Sequence, residues 1–265
     1  MRLPTPTLYA HRGASLECPE NTIPAFERAL EIGADALELD VHVTRDGQVV
    51  VSHDPSGQRM CNVSSAIERT TWREIAGWNA GWNFVDAAGQ HSFRDRGVQV
   101  PLLREVLAAF PGTPLNIDVK ARAPDAPRIV VELFRRSNVT DCVRLTSFSS
   151  RTIRELRREG WEGATGLARN SVLFAVAAPA ALARRVLGTD RAAQIPHRLG
   201  AIDFGTRAVI SRLHAAGLRV DYWTVNEPEL ALRLLRAGAD GIMTDDPAAI
   251  VDAVRGFARE RDSTH

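Results

Sequence analysis

Cysteine is scarce in this chain, with three residues among 265. Their number is odd and no two form a C-x-x-C pair, which argues against a disulfide framework and favours a reducing compartment. The formal net charge is only +1, so bulk electrostatics give no reason to expect binding to nucleic acid or to an anionic membrane.

Long uninterrupted apolar runs are also missing. The first residues of the chain lack the apolar core of a signal peptide. The most apolar stretch, 171–187, contains Pro179 and a pair of arginines, which excludes a membrane span there. We therefore predict a cytoplasmic protein without stable membrane insertion. Its apolar content of 45% and charged content of 25% are ordinary for a globular protein with a large core.

Segment 36–54, ALELDVHVTRDGQVVVSHD, has the most informative pattern. Glu38, Asp40 and His42 alternate along a predicted strand, so their side chains share one face. An Asp-Gly turn then returns the chain to His53. Two carboxylates and a returning histidine suit a hard metal ion and proton transfer, although a solvated strand face would show the same alternation.

Strand and helix patterns alternate along the rest of the chain. Predicted strands cover Thr7–Ala10, the segment from Ala36, Leu115–Lys120, Val143–Thr146, Ala164–Ala168, Ala201–Phe204, Leu218–Val225 and Gly241–Thr244. Predicted helices cover about Thr22–Ile32, Ala126–Ser137, Ser150–Glu159, an alanine-rich stretch after Ala168, Arg207–Ala216, Pro228–Ala237 and the residues from Pro247. Eight strand–helix units in about 250 residues predict an α/β fold, a single (β/α)8 TIM barrel over residues 1–265.

Residues 55–99 interrupt this periodicity. The segment contains Trp72, Trp78 and Trp82, and three tryptophans favour a buried cluster over a floppy loop. We predict an inserted subdomain that caps one end of the barrel. Because active sites of such barrels form at the C-terminal ends of the strands, the polar residues found there are the candidates for a site.

These strand ends carry motifs that resemble the glycerophosphodiester phosphodiesterase family. In chain order they are His11-Arg12-Gly13, Pro19–Thr22, Glu38–Val41, Asp46-Gly47, His53-Asp54, Asn116–Lys120, Trp223–Asn226 and Gly241–Asp245. Each motif is weak alone, but the set follows the family's order across nearly the whole chain. The resemblance implies a phosphatidylinositol-phospholipase-like TIM barrel with an insertion after its second strand. It also implies metal-dependent hydrolysis of glycerophosphodiesters, small substrates, to glycerol 3-phosphate and an alcohol.

The resemblance assigns acid–base catalysis to His11 and His53, and which of them is the acid stays open. An ordinary imidazole pKa of about 6.5 suits proton transfer near neutral pH. In the implied mechanism the 2-hydroxyl of the substrate attacks phosphorus, and water then opens a cyclic phosphate. The alternative is a structural histidine at the end of a strand.

Glu38, Asp40 and Asp118 match the metal ligands of the family. They are hard oxygen donors that suit one divalent cation, Mg²⁺ or Ca²⁺, with Mn²⁺ as an alternative. Surface carboxylates are the competing interpretation for Glu38 and Asp40. At position 118 the family commonly has glutamate, so the shorter aspartate leaves open the metal's identity and whether Asp118 binds it directly.

Further residues are predicted to bind substrate or to support the site. Arg12 and Lys120 are predicted to bind phosphate, and a salt bridge to the metal-site carboxylates is the alternative for Lys120. Trp223 is predicted to contact the glycerol or the leaving group, or else to pack, and Glu20 to make a polar contact near the site. The residues predicted to support the site from behind are His42, Asn21 and Asn226, and the histidines predicted to be incidental are His91, His197 and His214.

Two other functions stay open at this point. The first is a lysophospholipase D-type activity, which an apolar channel lined by Trp72, Trp78 and Trp82 would favour. The second is a barrel without catalysis that binds a phosphate ligand. The presence of both histidines and three carboxylates argues against the second function. The preferred head group and the oligomeric state have no readable pattern in the sequence.

Overall fold

Eight parallel strands close into a barrel in the computed structural model, which describes residues 1, 3–121, 123–137, 139–188 and 191–263. The described residues form eleven strands in all: β1 (Thr7–His11), β2 (Ala36–Val43), β3 (Val49–Val51), β4 (Leu115–Val119), β5 (Val143–Thr146), β6 (Ala164–Gly166), β7 (Arg191–Ile195), β8 (Arg198–Leu199), β9 (Ile202–Asp203), β10 (Arg219–Tyr222) and β11 (Gly241–Thr244). The eight parallel barrel strands are β1, β2, β4, β5, β6, β7, β10 and β11. Strand β1 pairs in parallel with both β2 and β11, and this double pairing closes the barrel. Strand β3 runs antiparallel on β2. The predicted TIM barrel is confirmed.

Helices follow most barrel strands. They are α1 (Ile23–Ile32), α2 (Gln58–Cys61), α3 (Trp72–Ile75), α4 (Leu103–Ala109), α5 (Ala126–Ser137), α6 (Ser150–Arg158), α7 (Arg169–Ala177), α8 (Ala180–Leu187), α9 (Arg207–Ala215), α10 (Pro228–Ala237) and α11 (Pro247–Asp262). Helix α1 begins where Thr22 accepts a hydrogen bond from the N–H of Ala25 and ends at Gly33, which has a left-handed φ of 106°. Among the described residues, no helix has both the length and the apolar character of a membrane span.

The sixth barrel strand differs from the prediction. Strand β7 occupies 191–195, whereas the predicted strand at 201–204 contributes only to β9, which pairs with β8 in a separate two-stranded sheet. Strand β7 has the sequence RAAQI, and alanine favours helix in isolation. Pairing with β6 on one side and β10 on the other overrides that preference because Ala192 and Ala193 become fully buried.

The alanine-rich stretch before β7 forms two helices rather than one. Helix α7 ends at Ala177, the next residue, Ala178, is extended with a ψ of 155°, and α8 begins after Pro179. Proline lacks an N–H and its ring clashes with a helical residue before it, so the chain must leave the helix there.

A buried polar network crosses the barrel interior below the strand ends. The Tyr9 hydroxyl donates to Asp221 Oδ2 at 3.1 Å, and Arg144 Nη1 donates to the Tyr9 hydroxyl at 3.0 Å. Arg219 Nε donates to the other oxygen, Asp221 Oδ1, at 2.8 Å. Strands β1 and β5 are not neighbours, so Tyr9 and Arg144 can meet only inside the barrel. Burial, with the nearby Asp221 charge, raises the pKa of Tyr9 to about 12.

Residues 55–99 pack around an apolar cluster of their own. Helices α2 and α3 and a 3₁₀ turn at Ile67–Arg69 lie in this segment. Ile67, Ile75 and Trp78 are buried against Val50 of β3, and Trp72 packs on the edge of the cluster. Trp82, by contrast, is 40% exposed. The cluster therefore fixes the segment against the strand that returns from the Asp-Gly turn.

Candidate active site

His11 lies at the end of β1 and is held by a carboxylate from the end of β11. Its Nδ1 lies 2.6 Å from Asp245 Oδ1, and the pairing of Ala10 with Thr244 places the two residues side by side. Asn226 fixes Asp245 by donating to Oδ2 at 3.3 Å and by accepting from the Asp245 N–H at 3.0 Å. Burial opposes protonation of His11, but the Glu38 carboxylate and the Asp245 hydrogen bond outweigh it and raise the pKa.

His53 has a similar arrangement just after β3, the strand that runs antiparallel to β2. Its Nδ1 lies 2.7 Å from Asp54 Oδ1. His42 Nε2 lies 3.1 Å from the backbone oxygen of His53, and burial lowers the pKa of His42. A neutral His42 ring with its proton on Nε2 can therefore donate to that oxygen and hold the backbone of His53.

Three buried carboxylates lie near these histidines on two neighbouring strands, β2 and β4. Glu38 and Asp40 project from β2, and the register pairs Asp40 with Asp118 of β4. Burial, followed by the charges of Asp40 and Asp118, raises the pKa of Glu38 to about 8. Burial also raises the pKa of Asp118. Burial opposes ionisation of Asp40, but the charges of Lys120 and Arg12 outweigh it and lower the pKa.

Both predicted phosphate-binding cations contact these carboxylates. Lys120 Nζ lies 2.7 Å from Asp118 Oδ2 and 3.2 Å from Asp40 Oδ1, which is the alternative salt bridge considered for this lysine. Arg12 Nε lies 3.3 Å from Asp40 Oδ2, and its Nη1 donates to Glu20 Oε1 at 3.1 Å. Both cations therefore lie next to the carboxylates, in a position where they could also bind an anion.

The loop after β1 takes its shape from two left-handed residues. Arg12 and Asn21 both have a φ of 59°. The backbone N–H of Arg12 donates to Glu38 Oε2 at 3.1 Å, and Asn21 Nδ2 donates to Asp40 Oδ2 at 3.0 Å. At Gly13 a Cβ would lie 2.6 Å from the carbonyl carbon of Ala25, so glycine is required for the loop to pack on α1. The loop thus orients both carboxylates of β2.

These side chains surround one cavity of about 220 Å³ at the C-terminal ends of the strands. The predicted site residues that line it are His11, Arg12, Glu38, Asp40, His53, Asp118, Lys120 and Trp223. Glu20, Asn21 and His42 contact lining residues from behind, and Asn226 holds Asp245, the carboxylate that contacts His11. The polar atoms that line this cavity therefore come from strands that are distant in sequence.

An apolar groove of about 250 Å³ adjoins this cavity and shares Phe148, Leu167, Gln194 and Trp223 with it. Val172, Leu173, Ile195, Leu199 and Phe204 complete most of its wall. An apolar channel lined by Trp72, Trp78 and Trp82 would have favoured the lysophospholipid alternative, but none of the three lines this groove. Trp72 and Trp78 belong to the cluster of the inserted segment, and Trp82 is exposed. The groove instead arises from the loops after β5, β6 and β7.

The donor set suits a hard divalent cation, although the carboxylates are not gathered around a metal position. Asp118 Oδ1 is buried and has no hydrogen-bond partner within the described chain, so one carboxylate oxygen is available. Burial, and then the charges of Asp40 and Asp118, raise the pKa of Glu38, and a bound cation would oppose both effects by stabilising the ionised carboxylate. However, within the described residues no three His, Cys, Asp or Glu side chains converge closely enough to hold an ion. The Lys120 ammonium bridges two of the carboxylates instead.

Comparison with known proteins agrees with this geometry. The sequence model of the Glycerophosphoryl diester phosphodiesterase family matches residues 11–249. The chain belongs to this family. It is 34% identical over 242 residues to a probable glycerophosphodiester phosphodiesterase 2 of Mycobacterium tuberculosis, covering 89% of this chain and 86% of that protein. It is 29% identical to a human lysophospholipase D, covering 94% of this chain and 86% of that protein.

A solved structure gives the same assignment. A phosphodiesterase of Oleispira antarctica, in complex with the product sn-glycerol-3-phosphate, superposes with a TM-score of 0.77 at 26% identity, covering 95% of this chain and 97% of that one. The predicted family and the predicted enzyme class, a phosphoric diester hydrolase, are confirmed.

Four residues of the phosphodiesterase site were not singled out from sequence. Asp245 and Asp54 stood in recognised motifs, and their position next to a strand end or beside His53 was a usable signal. Phe148 lies two residues after the end of β5, and that position near a strand end was also a usable signal. Arg59 had no signal, because its contacts to Asp54 and Glu20 depend on the folded insertion.

Proposed function

We propose that the protein hydrolyses glycerophosphodiesters with a divalent metal ion, using His11 and His53 as its proton-transfer groups. Membership of the glycerophosphodiester phosphodiesterase family supports hydrolysis of glycerophosphodiesters to glycerol 3-phosphate. One observation carries the two-histidine mechanism: two histidines face the same cavity and each is held by its own carboxylate. A carboxylate at Nδ1 fixes the ring and leaves Nε2 for the substrate.

In the proposed reaction the 2-hydroxyl oxygen of the glycerol forms a bond to phosphorus while the bond to the leaving alcohol breaks. One histidine accepts the hydroxyl proton and the other donates a proton to the alcohol oxygen. Water then attacks the cyclic phosphate, with the two histidines exchanging roles, and glycerol 3-phosphate is released. The raised pKa of His11 favours the protonated form and thus fits a proton donor in the first step.

Glu38, Asp40 and Asp118 are the residues that would hold the cation. When bound, a divalent ion would offset the negative charge on the phosphate oxygens. Mg²⁺ and Ca²⁺ fit the all-oxygen donor set, with Mn²⁺ as the alternative. Lys120 and Arg12, which contact these carboxylates, would bind phosphate oxygens of the substrate.

The remaining residues are proposed to shape the site. Trp223 contacts Phe148 edge-on, with ring centroids 5.7 Å apart, and would form the apolar wall beside the glycerol or the leaving group. Glu20 holds Arg12, while Asn21, His42 and Asn226 hold Asp40, His53 and Asp245. We further propose that residues 55–99 form a subdomain that caps one side of this mouth. The three cysteines are free thiols, which supports the proposed cytoplasmic location.

Product analysis tests this proposal. Purified protein is expected to release glycerol 3-phosphate from glycerophosphocholine, glycerophosphoethanolamine or glycerophosphoglycerol. Chelation should stop the reaction, and adding back Mg²⁺, Mn²⁺ or Ca²⁺ should restore it with different efficiencies, because the carboxylates need a cation to bind the phosphate. Release of a phosphorylated alcohol instead of glycerol 3-phosphate, or full activity in chelator, would contradict the proposal.

A lysophospholipid is the second candidate substrate, and the apolar groove beside the cavity favours it. The groove would accommodate an acyl chain attached to a phosphodiester in the cavity. Comparing lysophosphatidylcholine with glycerophosphocholine separates the two candidates. A strong preference for the lysolipid would make it the principal substrate.

A charged side chain placed in the groove should lower kcat/KM only for a substrate that carries an acyl chain. Leu199→Glu puts a carboxylate in the groove wall at a side chain that is 48% exposed. We expect the ratio of kcat/KM for lysophosphatidylcholine to that for glycerophosphocholine to fall about tenfold or more, since loss of contact with two methylenes costs about 1.6 kcal/mol. Val186→Glu, at another exposed apolar position outside the groove, is the matched control. An unchanged ratio would exclude the groove as the chain site.

A further inference from the structure

We propose that Arg59 is a positioning residue that couples both proposed functional pairs, His53–Asp54 and Arg12–Glu20, to the inserted segment. The proposal rests on the proposed function, because it requires His53 to transfer a proton and Arg12 to bind phosphate. Arg59 lies on α2, the first helix of the insertion. It would act on the reaction only through Asp54 and Glu20.

The contacts of Arg59 are short and use every nitrogen of its guanidinium. Nε donates to Asp54 Oδ2 at 2.6 Å. Nη1 and Nη2 donate to Glu20 Oε2 and Oε1 at 2.8 and 2.6 Å, a two-point contact that fixes the Glu20 carboxylate in plane. One side chain therefore joins two carboxylates that lie 34 positions apart in the sequence.

Each of these carboxylates uses an oxygen to hold a residue of the cavity. Asp54 Oδ1 lies 2.7 Å from His53 Nδ1, and Glu20 Oε1 accepts from Arg12 Nη1 at 3.1 Å. Burial opposes ionisation of Asp54, but the hydrogen bonds from Arg59 and His53 outweigh it and lower the pKa. Arg59 thus keeps Asp54 ionised and oriented toward His53, while it holds Glu20 against Arg12.

The insertion in turn holds Arg59. Asn83, from the far part of the segment, donates through Nδ2 to the backbone oxygen of Arg59 at 2.9 Å. The side chain of Arg59 is 46% exposed, and an ion pair at that exposure contributes little to stability. Its geometry is therefore better explained by the orientation of the two cavity residues than by stabilisation of the fold.

The two contacts predict separate kinetic effects. Loss of the Asp54 contact should misalign His53 and lower kcat, whereas loss of the Glu20 contact should release Arg12 and raise KM. Arg59→Met removes both contacts and is expected to lower kcat/KM about 10- to 100-fold for glycerophosphocholine, since small misplacements of a catalytic group cost this much. Arg59→Lys keeps the charge but cannot make three directed contacts, so its loss should be smaller.

Double-substitution cycles test whether Arg59 acts through Asp54 and Glu20. In an Asp54→Asn background, Arg59→Met should no longer lower kcat, and in a Glu20→Gln background it should no longer raise KM. Arg73→Met, another exposed arginine of the insertion, should leave both constants unchanged. The denaturant midpoint of each variant is measured alongside. If Arg59→Met does not fold, Arg59→Lys carries the same cycles.

The outcomes separate this proposal from the proposed function. Unchanged kinetics in Arg59→Met, or full additivity with both Asp54→Asn and Glu20→Gln, would overturn the role of Arg59 alone. If His53→Ala and Arg12→Ala retained full activity, the proposed function itself would fail first. A loss of activity in Arg59→Met that only followed a fall in the denaturant midpoint would show a structural role and also overturn the proposal.

Discussion

Replacing His11 by alanine is expected to lower kcat for glycerol 3-phosphate release on the order of 10³-fold, because a positioned proton-transfer group contributes about 10² to 10⁴ in rate. His11 faces the cavity and is fixed by Asp245 at 2.6 Å, so its ring is held for transfer. Glu38 lies 3.9 Å from Nε2 and supports the protonated ring. Steady-state rates with glycerophosphocholine measure the effect.

Companion variants locate the cause of that loss. Asp245→Asn keeps the volume but removes the carboxylate, so kcat should fall less than in His11→Ala, and the double variant should be no worse than His11→Ala alone. His214 forms a similar pair with Asp240 at 2.8 Å outside the cavity, and His214→Ala should therefore keep full activity. Unchanged release in His11→Ala would defeat the two-histidine mechanism.

Replacing Asp221 by alanine is expected to lower the free energy of unfolding by about 3 to 5 kcal/mol, the cost of breaking a buried ion pair. Asp221 is fully buried and accepts from Tyr9 and Arg219. Arg144, which is 5% exposed, would be left as a buried cation without its carboxylate. Leaving a buried charge unpaired costs far more than losing a surface pair.

Denaturant unfolding checks this value in Asp221→Ala. Glu132→Ala is the matched control because Glu132 pairs with Arg135 and Arg136 on the surface of α5. That variant should change the midpoint much less. An equal loss in the two variants would mean that the interior network does not stabilise the barrel.

The repeating pattern predicted most of the barrel, and the departures have local causes. Strands β1, β4, β5 and β11 lie within a residue of their predicted bounds because apolar runs and turn residues mark them. Strand β7 was missed because its alanines carry a helix preference that only pairing on both edges overcomes. The prediction at 201–204 was wrong because a two-residue hairpin strand can show the same short apolar signal.

The candidate site also contains residues that the sequence could predict and others that it could not. Motif residues at strand ends could be predicted to meet, since parallel strands present these ends to one mouth. Their partners could not be predicted by spacing, because Asp245 and His11 are 234 positions apart and Arg59 reaches Glu20 from a short helix of the inserted segment. The positions of Lys120 and Arg12 depend on charge balance among three buried carboxylates, which no linear pattern records. The catalytic and metal-binding roles themselves stay predictions.

Closure of the barrel through β1 has a consequence for how activity arises during folding. His11 contacts Glu38 of β2, the next strand in the chain, and Asp245, which follows β11, the strand that closes the barrel. A partly folded chain that has assembled β1 to β10 would therefore hold the carboxylates of β2 and β4 but leave His11 without its orienting partner. Such a chain could bind a phosphodiester without hydrolysing it. The proposed catalysis thus depends on a contact between residues 234 positions apart, and long-range strand pairings are among the slowest contacts to form.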